Sequence, residues 1–326
     1  MLHGVINVPA GTVTVEWKLY AGPNEVTVGS PKSADTSVGF TQPGSYVFEL
    51  SADDSVHAVA YDAVVISVMP QARMANLSTR AAVGANEYVS IGGFIVQGDA
   101  PKEILIRAIG PSLSGLGVPG ALADPTLELH DAGGNLLLSN NDWKETQMPE
   151  ISETALAPGN DRESAILATL DPGSYTAIAA GRKNTGGIGL TEIYDVKQSG
   201  GRLMNISTRG FVGLDDGVMI GGVIITGVDP ATVLFRAIGP SLAGAGIQNP
   251  LLDPTLDLFD TQGTSLATDD NWKETEQGAI EATGLAPPSE LEAALLVDLN
   301  PGSFTAVVRG AGGTTGVALI EVYHLP

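Results

Sequence analysis

Hydrophobic and polar residues alternate with a period of two along most of this chain. Thr12–Pro23 (TVTVEWKLYAGP) alternates and then turns, Gly44–Asp54 (GSYVFELSADD) alternates again, and Ala60–Val68 (AYDAVVISV) closes a first segment, 1–70. Period-two alternation in runs of this length predicts half-buried β-strands. Beyond that segment the pattern predicts strands near 73–80, 88–98, 102–109, 126–131, 135–140, 163–170, 173–181 and 186–195. It is clearest in ILIRAI (104–109), LELHD (127–131) and SYTAIAA (174–180). DAGGN (131–135) and DTQGT (260–264) sit between strands as hairpin turns. Residues 144–160 lack alternation and read as an irregular excursion with one helical turn.

The same pattern then repeats. RAIGPSL at Arg107–Leu113 returns unchanged at Arg236–Leu242, and a constant shift of 129 positions aligns the surrounding units without gaps. Nearly half of the aligned positions are identical. A gapless match of that length means two copies of one architecture. Strands every ten residues or so, with frequent turns, indicate β-sandwiches. The expectation is all-β, with three sandwiches in tandem: 1–70, 73–196 and 202–326. VKQSGG (196–201) is expected to be a short linker allowing limited flexing.

Composition agrees with many short strands and tight turns: 41 Gly and 20 Pro among 326 residues. The formal net charge of −21 changes the picture more. It argues against nucleic acid or an anionic membrane as partner, because both would repel the chain. It fits a soluble extracellular protein, a calcium-rich setting or a salty one. With no cysteine, disulfides, zinc–thiolate sites and cysteine nucleophiles are excluded. No stretch of about 18 apolar residues appears. The opening MLHGVINVPAG has neither a basic start nor a long apolar run. It reads as the middle of a domain and not as a signal peptide, which suggests a fragment or a processed form.

Trp17 in a strand, the PGSYVFELSADD run and the final VVISV strand make segment 1–70 resemble the PKD/Ig-like domains of large bacterial surface proteins. The resemblance implies that Trp17 is the core tryptophan and that Tyr46 is buried with a partner for its hydroxyl. It also implies an extra opening strand before Leu2–Ile6, which is missing here. That gap reads either as truncation or as a strand supplied by another copy in an edge-to-edge assembly. The runs DPTLELHDAGGNLLLSNNDW…GSYTAIAAG and DPTLDLFDTQGTSLATDDNW…GSFTAVVRG resemble the bacterial pre-peptidase C-terminal domain. That family is a jelly-roll sandwich appended to secreted enzymes, and some members bind calcium, collagen or polysaccharide.

Several residues carry candidate chemistry. Arg107 and Arg236 lie mid-strand among apolar neighbours, where a charge must be paired if its face is buried. Glu163 and Glu192, with Glu292 and Glu321 in the second copy, are the acids kept at strand positions. The expectation is a structural Arg–Glu pair in each repeat, with a ligand-binding arginine as alternative. Asp124, Asp131, Asn140, Asn141 and Asp142 recur as Asp253, Asp260, Asp269, Asp270 and Asn271. Such oxygens suit Ca²⁺, with Asp142 and Asp270 preferred, although the spacing is not that of an EF-hand. Asx-turn capping is the alternative. Trp143 and Trp272 either plug a sandwich or stack on a sugar.

Gly-rich 181–187 and 310–316 lack a phosphate-loop ending and read as hairpin loops. The four histidines form no metal-spaced pair, and no nucleophile–base–acid set is evident. The expected function is therefore a non-catalytic, extracellular or cell-surface modular protein, structural, adhesive or filament-forming, with calcium as the one candidate cofactor. Its partner would be protein, including itself, or polysaccharide. The alternatives are a carbohydrate- or protein-binding module pair of a larger secreted enzyme, and a glycoside hydrolase or lyase using paired carboxylates.

Overall fold

The computed structural model describes residues 1–7, 12–84, 88–197 and 201–325. The chain is nearly all β and divides into two compact units, Met1–Gln71 and Ala72–Pro326.

In the first unit, β1 (Leu2–His3), β2 (Thr14–Ala21), β3 (Val26–Val28), β4 (Asp35–Thr36), β5 (Val38–Phe40), β6 (Gly44–Asp53) and β7 (Ala60–Val68) form small antiparallel sheets. Their orders are β1-β4, β3-β5 and β2-β6-β7. The core is Leu2, Trp17, Tyr46, Phe48 and Leu50. Both polar aromatics find acceptors, as burial requires. Trp17 Nε1 donates to the Ala34 carbonyl at 3.0 Å, and the Tyr46 hydroxyl donates to the Gln42 carbonyl at 2.6 Å. Strand β7 pairs with β6 from Ala60 to Val68 and, among the described residues, with no strand on its other side.

Among its described residues the second unit holds sixteen strands. The first repeat supplies β8 (Arg73–Val83), β9 (Ser90–Gln97), β10 (Lys102–Ile109), β11 (Pro125–Asp131), β12 (Leu136–Asn140), β13 (Ser164–Leu170), β14 (Gly173–Gly181) and β15 (Gly187–Asp195). The second supplies β16 (Arg202–Val212), β17 (Met219–Thr226), β18 (Ala231–Ile238), β19 (Pro254–Phe259), β20 (Ser265–Asp269), β21 (Ala293–Leu299), β22 (Gly302–Gly310) and β23 (Gly316–Leu325). Within the first repeat the orders are β8-β15-β10-β13 and β9-β14-β11-β12. Two four-stranded sheets with this interleaving make a jelly roll, and the second repeat has the same orders.

The repeats do not stand apart as two sandwiches. Strand β9 pairs with β16 and β8 pairs with β17, so each four-stranded sheet continues into one of the other repeat. One layer runs β12-β11-β14-β9-β16-β23-β18-β21. The other runs β20-β19-β22-β17-β8-β15-β10-β13, and a single Ala82–Phe211 bridge links the two. One apolar core from both repeats fills the space between, including Met74, Phe94, Ile106, Leu127, Phe235 and Leu258. Thr79 donates to Thr208 at 2.9 Å, both hydroxyls being buried. These two positions are equivalent under the 129-residue shift, so they mark a pseudo-twofold axis. The boundaries 73–196 and 202–326 thus delimit sequence repeats inside one compact unit. Residues 198–200 of the expected linker lie outside the described residues.

The loops 181–187 and 310–316 differ from the hairpins expected of them. They join β14 to β15 and β22 to β23, strands that lie in opposite layers. Short spacing between strands looks like a hairpin in sequence, but a jelly roll uses such loops to cross between sheets. Their first amides are anchored across the end of the sandwich, Arg182 N to Asp124 O and Ala311 N to Asp253 O, both at 2.8 Å.

Candidate functional site

Alternation along β10 explains where the duplicated arginine goes. Ile104, Ile106 and Ala108 face the core, so Leu105 and Arg107 face outward. The excursion between β12 and β13 folds over that outer face and carries the short helix α2 (Met148–Glu153). Leu105, Trp143, Ile151 and Ala165 form a small second core beneath it, and Leu234, Trp272, Ile280 and Ala294 repeat this in the other copy.

Arg107 lies under the flap. Its Nε donates to Glu192 at 2.9 Å, Nη2 donates to the same carboxylate oxygen, and Nη1 donates to the Leu156 carbonyl at 2.6 Å. Tyr194 receives Nη2 at 3.0 Å and donates its hydroxyl to Glu192 at 2.7 Å. Arg236, Glu321, Tyr323 and the Leu285 carbonyl repeat the arrangement. Burial, with the neighbouring glutamate second, pushes the phenol of Tyr194 far up and that of Tyr323 up to about 12. All three nitrogens of each guanidinium group donate to groups of the same repeat, which leaves little for a ligand.

Glu163 does something else. Fully buried, it accepts from the Gly110 and Ser112 amides at 3.2 and 2.9 Å, from the Ser112 hydroxyl at 2.9 Å and from the Asn160 amide at 3.1 Å. Glu292 holds Gly239, Ser241 and Ser289 in the same way. This accounts for GPSL in the duplicated motif. A Cβ on Gly110 would lie 2.2 Å from the Leu122 carbonyl oxygen, and one on Gly239 would lie 2.1 Å from that of Leu251. Pro111 starts the short helix α1 (Pro111–Gly115), Ser112 meets the glutamate and Leu113 is buried. So of the four glutamates, two pair with arginine and two clamp a turn. Glu163 is taken up by the Gly110–Ser112 turn and Asn160, while Glu192 is taken up by Arg107.

The tryptophans are buried as flap plugs, Trp143 at 6% and Trp272 at 4% exposure, so neither presents a ring to a sugar. Lys144 and Lys273 cover them at 5.3 and 5.4 Å from the ring centres.

The Asp/Asn cluster is divided among several tasks. Asp131 accepts from the Asn135 side-chain amide at 2.9 Å and from the backbone amides of Asn135 and Gly133 at 2.9 and 2.8 Å; the Asn135 side chain first, then these backbone bonds, hold its carboxyl below the usual range. Asp260 caps its own hairpin through Gln262 and Thr264. Asn140 and Asp269 accept from the edge amides of Ala165 and Ala294 at 3.0 and 2.9 Å. Burial pushes the Asp269 carboxyl up. Among the described residues no three His, Asp or Glu side chains converge as a metal group. Asp142 and Asp270 join no such group. What remains without a hydrogen-bond partner is one buried oxygen on each of Asp124, Asn141, Asp253 and Asn271. Burial, then the nearby Asp270 charge, raises the Asp253 carboxyl.

One buried ion pair was not anticipated. Lys102 and Asp195 meet at 2.5 Å at the end of the first repeat's core, with side-chain exposures of 0 and 3%. The Lys102 ammonium also donates to the Lys197 carbonyl. Burial raises the Asp195 carboxyl while Lys102 opposes that rise. The signal was present in phase: both residues continue the inward alternation of β10 and β15. The second repeat has Ala231 and His324 there, and His324 lines a cleft of about 660 Å³ with Arg202, Gln97 and Asp99. Burial, then Arg202, lowers the His324 imidazole.

Residues 1–68 match the K319L-like PKD domain family, in agreement with the resemblance drawn from Trp17 and the VVISV strand. The likeness of the repeats to pre-peptidase C-terminal modules is not confirmed by the comparisons. No curated protein matches the chain. A solved structure described as "Life in the extremes: atomic structure of Sulfolobus Turreted Icosahedral Virus" matches 77% of this chain and 90% of its own. It does so at 10% identity and a TM-score of 0.22, too low to carry an argument. Among the described residues no helix is long and apolar enough to cross a membrane.

Proposed function

We propose that this is a non-catalytic, extracellular modular protein that works as a structural or adhesive surface component and assembles through strand edges. A PKD-like domain and an all-β fold fit a module of that kind. Arg107, Glu163 and Glu192, like Arg236, Glu292 and Glu321, bond to groups of their own repeat. The observation that carries the reading is β7. Tyr61, Val64 and Val65 are 64, 36 and 63% exposed on a nine-residue strand that has, among the described residues, a neighbour on one side only. Beside its start lies a groove of about 350 Å³ lined by Val5, Ile6, Val13, Leu50 and Ala52. A long, apolar, unpaired edge is a template for an added strand. Amide hydrogen exchange tests this. Amides of 60–68 should gain protection on assembly, and Val65→Lys should abolish the gain. Assembly with β7 unchanged in protection would overturn the reading.

A second reading concerns calcium, and the unpartnered oxygens of Asp124 and Asp253 favour it, because they recur at equivalent positions. With Asn141 and Asp270 they offer hard oxygen ligands of the kind Ca²⁺ takes. Melting in calcium and in chelator decides it: a higher melting temperature in calcium supports the reading, and equal values refute it.

A further inference from the structure

Strand β12 presents the plainest mismatch between composition and surroundings. It pairs with β11 alone, and its other side has no strand among the described residues. Leu136, Leu137 and Leu138 follow one another along it and are 54, 43 and 41% exposed. Three consecutive exposed leucines on an open edge are what soluble proteins usually avoid.

The second repeat serves as an internal control. Its β20 has Ser265, Leu266 and Ala267 at the equivalent places, in the same register against β19: Ala267 faces Leu258 as Leu138 faces Leu129, and Ser265 faces Phe259 as Leu136 faces His130. The hairpin therefore forms without leucine at the first and third positions. Ala267 packs against the core at the third position, so the register needs no side chain as large as Leu138 there, and none as apolar as Leu136 at the first.

The other edge at this end of the sandwich is closed. The Ala165 amide donates to Asn140 Oδ1 at 3.0 Å. The side-chain amide of Gln147 takes both the N–H and the carbonyl of Leu167, at 3.0 and 2.7 Å. These amides imitate a neighbouring strand along β13. Among the described residues no side chain caps Leu136–Leu138 in this way.

From this we infer that β12 is a self-association surface, where the strand pairs antiparallel with β12 of a second copy of this chain. Backbone groups on an open edge are best satisfied by another strand. Charge favours a second copy at this place. The chain carries −21 overall, yet no ionisable residue occurs from Leu136 to Asn141, and the adjacent Glu128 is matched by His130 at 2.9 Å. Two like-charged molecules that meet along this strand bring no charge of the strand itself together. Antiparallel pairing of a strand with itself is isologous, so it closes at two copies. This contact is separate from the β7 edge.

Sedimentation of the full chain over a range of concentration tests the inference. The wild type should show a reversible monomer–dimer equilibrium that tightens as salt screens the net charge. Leu136→Ser with Leu138→Ala copies β20, so it should leave the melting temperature unchanged and weaken the dimer at least about tenfold, equivalent to ~1.4 kcal/mol. Leu137→Lys, placing like charges across the contact, should act in the same direction. A wild type monomeric at every concentration would overturn the inference, as would a double variant that dimerises as tightly. Association lost on Val65→Lys but kept by the leucine variants would also overturn it, while leaving the β7 reading intact.

Discussion

Glu163→Gln is the sharpest test of the idea that the duplicated acids serve folding. The carboxylate gathers four donors on two oxygens: the Gly110 and Ser112 amides on Oε1, and the Ser112 hydroxyl and Asn160 amide on Oε2. An amide in its place keeps one acceptor oxygen. Its NH₂ then faces the Asn160 N–H, donor against donor, while the serine hydroxyl can turn and accept. An orphaned buried N–H costs ~1–3 kcal/mol, and losing charge assistance weakens each remaining bond by about 1 kcal/mol. Relief of the buried charge offsets part of this. A net loss of about 2–4 kcal/mol follows, with the same for Glu292→Gln because its surroundings are equivalent. Urea unfolding at constant slope measures it. Trp143, whose amide donates to the Glu163 carbonyl at 2.8 Å, reports locally by fluorescence. A loss under ~0.5 kcal/mol would refute the reasoning.

Arg107→Met and Glu192→Gln should each destabilise by ~3–5 kcal/mol, because either change leaves the other partner's charge buried and unpaired under the flap; a loss under ~0.5 kcal/mol for either by denaturation counts against the pairing as described. His324 is held below its ordinary 6.5 in the folded chain. Its contribution is present above 6.5 and lost as pH falls through the folded value. His324→Gln should therefore flatten the stability–pH curve below 6.5, and an unchanged slope would contradict the burial argument. Gly110→Ala brings a methyl group to 2.2 Å from the Leu122 oxygen. It should cost more than 2 kcal/mol, by the rough scale of backbone strain and overpacking, and a melting temperature equal to wild type would show that the turn can move.

Strand positions were legible because alternation is a local property. The expected 102–109 and 173–181 coincide with β10 and β14. Pairing across repeats was not legible, since nothing in the residues of β8 or β16 distinguishes an inner strand joined to its sister repeat from an edge strand. The glutamates show the same limit. Spacing marked Glu163 and Glu192 alike as acids kept in both copies. Only β13 and β15 lying on either side of β10 decides that one reaches the GPS turn and the other the arginine. Lys102 and Asp195 were overlooked because each is charged in one copy only. A comparison that looks for what repeats misses what one repeat does alone, and the leucines of β12 belong to the same class.

The account rests on a division of labour: interior polar groups hold the fold and outer strand edges make contacts. Hydrogen–deuterium exchange on the full chain, dilute and concentrated, addresses it most directly. Protection should rise on assembly in 60–68 and 136–140 and stay constant around Arg107, Glu163 and their equivalents. Edges that exchange equally under both conditions, with new protection confined to the cleft at Arg202 and His324, would contradict it.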